Sequence, residues 1–575
     1  MPNEFKITTF SLNKNAKATK ACRKCREAHK KCCFNDELDS CEQCYKAHEA
    51  CDLSTPSKKR KTAAISSSAS SNVFGNDRIY ANAMKSSENK FQFINTVHPL
   101  APLFSNDSFL TLSDGEFFNL YFPWRDLFLP ARDQYTRPLN VDEELLEYVE
   151  MKGAFKMPPI ETQRRYVMLY LDNLYPLYPV VDRDIIDHLD TTPPLLLNAM
   201  MMCGVRYDAN LKSAEIRETA EQLRRKCELL KLCELNKITL IQGFLLMSNQ
   251  EESPTGPQVA REYVSRACIL ITDLALHNNA ARNQLSRLET NTLDHSTGSI
   301  FFRLSHKVSL LTRLFWTSFC LDRALTVTSS APMFYNTLDL AVDTVKLEDF
   351  DGNSRDFEIF RRWYQICDLL ERVLVCRYRP PGNRSLDLNL ERDILSLCDR
   401  GVDDETRQLI GDTYTRFLQT CSDFCGIMYL RSKIDFVSIL EDEVEGQQLL
   451  HTDSPLSDNK MHYLSRFARN IIDQSKGEQV QQIITIHAVL HVMVLLYLEI
   501  EARQQVQTTS HDPLIVLNYK KTLFSHCLSF LDENGCKWFF SAAGYHLFVD
   551  LISSPRKNIK SSQDLLSLLF DTNLA

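Results

Sequence analysis

The sequence predicts a mainly α-helical protein, with a small cysteine-rich module at its N-terminal end, a flexible linker and a large all-α body. Three observations carry that prediction. Glycine is scarce, 16 in 575 residues, whereas barrels and open sheets use it in their turns. Apolar residues in the body recur at steps of three and four, as in Ile300, Leu304, Val308, Leu311, Phe315 and Phe319. Seven of the 19 cysteines fall between Cys22 and Cys51, a density far above the chain average. The remaining composition, 44% hydrophobic and 24% charged, is that of a globular chain and excludes disordered, collagen-like and disulfide-scaffold classes. No run reaches the roughly 18 uncharged apolar residues of a membrane span. The best, Ile483 to Leu498, carries His487 and His491 and stops at Glu499. With no apolar signal-type core at the start, a reducing, intracellular setting is expected.

Charge divides the chain. Residues 1–62 carry 14 Lys and Arg against 8 Asp and Glu; the remainder carries 52 against 66. A basic module joined to an acidic body points to a polyanion partner for the module and a separate task for the body. In chain order the expected parts are a basic tail (1–20), the cysteine module (21–52), a basic and Ser-rich linker (53–75), a variable segment (76–160), a helical region (161–350) and a C-terminal helical region (351–575).

The module contains one half-unit twice. Cys22, Cys25 and Cys32 are spaced C-x2-C-x6-C, and Cys41, Cys44 and Cys51 repeat that spacing. Structural zinc takes four ligands. Six thiolates fill the eight positions of two zinc ions only if two of them bridge both metals, and the repeat suggests one bridging cysteine from each half. Neighbouring Lys and Arg would offset the net negative charge of such a core and favour thiolates. Each x6 segment is long enough for a helix of roughly 9 Å. The first half holds Lys20, Arg23, Lys24, Arg26, Lys30 and Lys31 against Glu27 alone; the second holds Lys46 against Glu42, Glu49 and Asp52. The first helix is therefore the one expected to face a polyanion. Other readings stay open. Two separate single-zinc sites would draw in His29 and His48, Cys33 could replace Cys32 at the loss of the repeat, and His29 could be a solvated side chain. A disulfide framework fails on the odd count and the compartment.

These residues resemble the fungal zinc binuclear cluster transcription factors of the galactose-regulator type. The resemblance implies two zinc ions per chain on Cys22, Cys25, Cys32, Cys41, Cys44 and Cys51, with Cys22 and Cys41 bridging. It implies a first helix entering the DNA major groove to read a CGG triplet. Arg26, Lys30 and Lys31 would then contact phosphate beside Lys24, and His29 would stand at the base-reading position. The chain departs from the family pattern at Ala28, where a basic residue is usual, and in the loop Phe34–Ser40, which lacks the usual proline and carries Asp36, Glu37 and Asp39.

Lys58, Lys59, Arg60 and Lys61 follow as a basic run of the nuclear-import type, which predicts a nuclear location and an import receptor as partner. Thr62 to Ser71 reads as a flexible Ala/Ser linker. No sustained heptad occurs between Asn72 and Val97, so the expectation is a monomer, or a homodimer formed through the helical body.

In the body, helices are expected over Gln163–Leu174, Ala214–Leu235, Leu240–Gln250, Ala260–His277, Phe357–Arg377, Asp404–Leu430, Gln481–Glu501 and Ile515–Leu531, besides the run through Phe319. Pro193-Pro194, Pro254, Pro332 and Pro380-Pro381 punctuate them. Strand-type alternation is absent. Tyr170–Asp182 (YLDNLYPLYPVVD), Ile241–Leu246 (IQGFLL), Leu274–His277 (LALH), Arg313–Trp316 with Leu321–Arg323, and Ser330–Pro332 are similar to successive motifs of the same family's middle homology region. Ala275 stands in place of Gly, and Ser330-Ala331 in place of Gly-Arg. That region is similar to those of the lipid- and carbon-source regulators. The resemblance implies a body that regulates the module, sometimes through a small metabolite.

Arg313, Asp322 and Arg323 are expected to form buried ion pairs that fix packing, and Phe315 and Trp316 to be core. His487 and His491, in His-Ala-Val-Leu-His, lack the glutamate of a metalloprotease motif. No phosphate loop, dinucleotide fingerprint, nucleophile elbow or kinase signature occurs, so no enzyme activity is expected. The C-terminal Ser561–Ala575, with Asp564 and Asp571 flanking leucines, reads either as a coactivator-binding helix or as a docked final helix. Asp107–Leu129, around Trp124, is a second acidic-aromatic candidate. Together these features predict a nuclear, sequence-specific regulator of RNA polymerase II transcription, an activator, whose partners are double-stranded DNA and the transcription machinery, with no membrane role. The rivals are a zinc-stabilised RNA-binding or structural adaptor protein, disfavoured because only His29 among Cys22–Cys32 is aromatic, and a zinc enzyme, which would need an open metal position.

Overall fold

The computed structural model describes the helical body over residues 143–249, 258–279, 282, 308–329, 332–431, 460–475, 483–505, 512–535 and 538–553, together with the short pieces 34–35, 40–41, 46–47, 92–94 and 116–118. Residues 1–73 and 74–575 form two compact units.

In the first unit, β1 (Phe34–Asn35) pairs antiparallel with β2 (Ser40–Cys41), Phe34 opposite Cys41 and Asn35 opposite Ser40. In the second, β3 (Gln92–Ile94) pairs antiparallel with β4 (Glu116–Phe118). The strands of both pairs are two or three residues long, too short to show period-two alternation, and all four lie before the body in which strand-type alternation is absent.

The body among the described residues is α1 (Glu143–Met151), α2 (Ile160–Asn173), α3 (Pro194–Gly204), α4 (Ser213–Leu230), α5 (Lys237–Met247), α6 (Gln258–Asp273), α7 (Val308–Ser329), α8 (Ser354–Val373), α9 (Leu390–Arg400), α10 (Asp404–Ile410), α11 (Asp412–Arg431), α12 (Lys460–Ser475), α13 (Ile483–Gln505), α14 (Asp512–Gly535) and α15 (Phe539–Ser553). Sequence neighbours are mostly spatial neighbours: α2 packs on α3, α3 on α4, α5 on α6, α6 on α7 and α7 on α8, then α11 on α12, α13 on α14 and α14 on α15. Helix α8 also contacts α9, α10 and α11, and α7 contacts α13, so one continuous hydrophobic core runs through the body.

Local chemistry sets the elements. Asn236, Asn353 and Asp403 each accept a backbone N–H of the first turn, starting α5, α8 and α10. Helix α8 buries Ile359, Phe360, Trp363, Ile366, Cys367, Leu370 and Val373, a single stripe at helical spacing. Helix α3 was hidden in the sequence behind Pro193-Pro194. Pro194 stands in the first turn, where its missing N–H costs nothing, and every residue to Gly204 is buried, so no polar face marks its period. A Cβ on Gly204 would lie 1.9 Å from the Tyr166 carbonyl oxygen; glycine there lets the α2 and α3 backbones meet.

The expected helix Asp404–Leu430 is two, because Gly411 takes φ +83° between α10 and α11. Helix α7 is described from Val308 onward; Ile300 and Leu304 lie outside the described residues. By length and composition Ile483–Ile500 is long and apolar enough to cross a membrane, and 61% of that stretch is buried in the body, as in a core helix.

Candidate functional site

Of the residues expected to hold metal, Cys41 is described, by its backbone in β2; Cys22, Cys25, Cys32, Cys44 and Cys51 lie outside the described residues. So do Lys24, Arg26, His29, Lys30 and Lys31, the Lys58–Lys61 run, and the Ser561–Ala575 tail. The β1–β2 pairing sits at the junction of the two half-units. It sets Cys41, the first cysteine of the second half, across from Phe34, two positions after Cys32 in sequence. Chain reversal at that point fits a core that takes thiolates from both halves. Zinc bound there would cross-link the module. In the second x6 segment, Lys46 has helical backbone and is exposed.

In the body, the motif residues converge on two buried polar knots. The first satisfies an extended segment one carbonyl at a time. The Tyr170 hydroxyl donates to the Tyr178 carbonyl at 2.8 Å. Arg313 Nε donates to Pro179 at 3.0 Å, Gln242 Nε2 to Val180 at 2.7 Å and Arg313 Nη2 to Val181 at 3.0 Å. The same guanidinium binds the Asp182 carboxylate and the Asp349 carbonyl. Arg313 is fully buried. Buried carbonyls outside helices need donors, and here α2, α5 and α7 supply them.

The second knot centres on Asp322, also fully buried. It accepts from Arg261 and Arg323, each at 2.8 Å, and from the backbone N–H of Phe334 at 2.9 Å. Arg323 continues to Glu371 at 2.6 Å, to the Tyr335 carbonyl at 3.2 Å and over the Phe319 ring at 3.9 Å. Arg261 also bonds the Pro332 carbonyl. The segment after α7 is thereby tied to α6, α7 and α8. Sequence reading marked Arg313, Asp322 and Arg323 but missed that they belong to separate knots, and missed Arg261 and Glu371. The signal available was a charge on an otherwise apolar helical stripe.

Trp316 donates to the Asp343 carbonyl at 2.8 Å and sits edge-on to Phe315, Phe319 and Tyr364, which makes it core. His487 and His491 go to different partners. His487 lies 4.4 Å from the Phe540 ring. His491 contacts Arg431 and the Phe424 ring, and burial followed by the Arg431 charge holds its pKa well below the usual histidine value. Among the described residues no group of three or more His, Cys, Asp or Glu is placed to hold a metal ion.

The stretch that carries both knots has known relatives. Residues 167–400 match the fungal specific transcription factor domain. The match takes in every quoted body motif from Tyr170 onward and extends through α8 and α9. The chain is 24% identical over 294 residues to cutinase transcription factor 1 alpha of Fusarium vanettenii, covering 47% of this chain and 30% of that protein. It is 22% identical over 240 residues to cutinase transcription factor 1 beta of the same organism, covering 39% of this chain and 25% of that protein. The chain thus spans less than a third of the length of these relatives. No solved structure matches. The comparisons support a fungal transcription regulator built around this helical domain.

Proposed function

We propose that the chain is a nuclear, sequence-specific DNA-binding regulator of RNA polymerase II transcription, acting as an activator. Two zinc ions on Cys22, Cys25, Cys32, Cys41, Cys44 and Cys51 fold the module, and the Arg26–Lys31 helix enters the major groove at a CGG-like triplet. Lys24, Arg26, Lys30 and Lys31 neutralise phosphates, and His29 reads a base edge. Lys58–Lys61 serve nuclear import, and the helical body controls output. One observation carries the reading: a repeated C-x2-C-x6-C spacing whose first half is basic stands on the same chain as the domain matched at residues 167–400.

The test is a selection on random duplex DNA with the full zinc-loaded chain, with metal counted on the same sample. Enrichment of CGG-like half-sites, lost on chelation, is the expected result, and the number and spacing of half-sites reports monomer or dimer. No enrichment, undiminished selection after chelation, or preferential competition by single-stranded RNA overturns it. Lys31→Ala should weaken binding to all sequences and flatten its salt dependence, whereas a change at His29 should alter base preference.

A further inference from the structure

Helix α8 places Arg361, Gln365, Asp368 and Arg372 at steps of four, three and four, one stripe along one face. Between this stripe and α9, with Gly401 and Asp403 beyond the α9 end, lies an open cleft of about 520 Å³. Leu369 and Leu397 give it an apolar strip.

The arginines of the cleft are already engaged. Arg361 makes two bonds to Glu358, at 2.7 and 2.8 Å, and Arg362 shares that carboxylate at 2.6 Å. Arg362 also lies 3.5 Å from Asp403. Arg372 bonds Asp387 and Asp393, at 2.7 Å each. Three guanidiniums thus meet four carboxylates, before Asp368 is counted. Asp368 is part-buried, and among the described residues it makes no hydrogen bond or ion pair. Burial, and next the neighbouring Glu371, push its carboxyl above the usual range. The cations nearest to it in charge, Arg372 and Arg323, are bound elsewhere.

An anion would have to break existing ion pairs to enter and would still meet the surplus of carboxylates. A bare divalent ion needs several oxygens converging on one point, and the described residues hold no such group. An alkylammonium needs one free carboxylate and an apolar strip for its methylenes, and the cleft has both. We propose that the α8–α9 cleft binds a small aliphatic amine, its ammonium on Asp368 and its carbon chain along Leu369 and Leu397.

Isothermal titration of the full chain with spermidine, without DNA, tests this independently of the DNA-binding reading. Saturable binding is expected, weakened about tenfold or more in Asp368→Asn, the scale of a lost charge-assisted hydrogen bond. Leu397→Ser should weaken it less. Because the Asp368 carboxyl bonds nothing among the described residues, Asp368→Asn should keep the melting temperature of the unliganded protein. Absence of saturable binding, equal binding in Asp368→Asn, loss of fold in that variant, or equal competition by magnesium chloride at matched ionic strength overturns the proposal.

Discussion

The two regions of this chain set cysteine in opposite surroundings. Between Cys22 and Cys51, seven thiols stand close together, six of them at repeated spacings, and the first half-unit lies among Arg23, Lys24, Arg26, Lys30 and Lys31, a setting that favours thiolates. In the body, Cys203, Cys227, Cys233, Cys268, Cys320, Cys367, Cys398, Cys421, Cys425 and Cys527 are buried. Burial lifts Cys203, Cys425 and Cys527 to about 12, so these thiols stay protonated and act as small apolar side chains. The lesson is that neighbours, not the residue, decide the chemistry. Density, charge and spacing make the first set a candidate metal site, and burial makes the second set packing.

The largest expected effect breaks one region and spares the other. Cys25→Ala should lower the zinc content and abolish specific DNA binding, because metal binding and folding of such a module are one process. The thermal transition of the body should not move, since the two units are separately compact. Cys320→Ala should do the reverse, costing on the order of 1 kcal/mol of body stability as a small buried truncation with zinc content unchanged. Metal analysis and calorimetry on both variants check the pair; a Cys320→Ala protein that loses zinc would erase the distinction.

Within the body, the contrast sharpens between buried ions that are matched and one that is not. Arg313→Met should cost about 3–5 kcal/mol in urea unfolding, since it strips the Asp182 carboxylate and the Pro179 and Val181 carbonyls of their buried donor. A loss below about 1 kcal/mol would mean that the knot contributes nothing beyond packing. Asp423 is the unmatched case. It is fully buried on α11 and, among the described residues, receives the amides of Gln419, at 3.2 Å, and Asn470, at 3.4 Å, and the Cys398 thiol, with no cation bonded to it. Arg466 bonds Asp399 instead, at 2.7 Å. Burial above all raises the Asp423 carboxyl to about 7.

The native state therefore holds a proton that the unfolded chain releases near pH 4. Where the native state binds more protons, stability falls as pH rises, so the contribution is full below about pH 4 and is lost on the way up to about pH 7. Asp423→Asn should remove this slope, worth on the order of 2 kcal/mol between pH 5 and pH 7. Urea midpoints of both proteins at the two pH values measure it, and parallel pH dependence would show that Asp423 stays charged.

Much of this was legible in the sequence, unevenly. Helices with one wet face, such as α4 and α8, announce themselves by period, and α3, buried on every side, does not. The Gly411 break is a single residue whose positive φ only the chain's path reveals. The charged motif residues Arg313, Asp322 and Arg323 were visible as buried ions, but their partners come from segments up to 134 residues away, which no local pattern encodes. For the candidate zinc module the balance is reversed: its chemistry is written in spacing and charge, and its described structure is one strand pair and a helical turn.

Ala275 shows how finely such a body is balanced. It lies at the end of α6 with φ 50°, where the resembling motif has glycine. The Leu276 N–H reaches back to the Ile271 carbonyl at 2.9 Å, and the Ala275 N–H to Thr272 at 3.0 Å, a helix end that favours a left-handed residue. A non-glycine residue in that conformation costs about 1 kcal/mol or somewhat more. The Ala275 methyl is fully buried, and burying one carbon of that size returns about 0.8 kcal/mol. The two nearly cancel, so Ala275→Gly should change body stability by less than about 0.5 kcal/mol. A stabilisation above about 1 kcal/mol by urea unfolding would mean that the methyl adds nothing and the position is strained without compensation. A loss of that size would mean that packing around this helix end, rather than its backbone geometry, holds α6 in place.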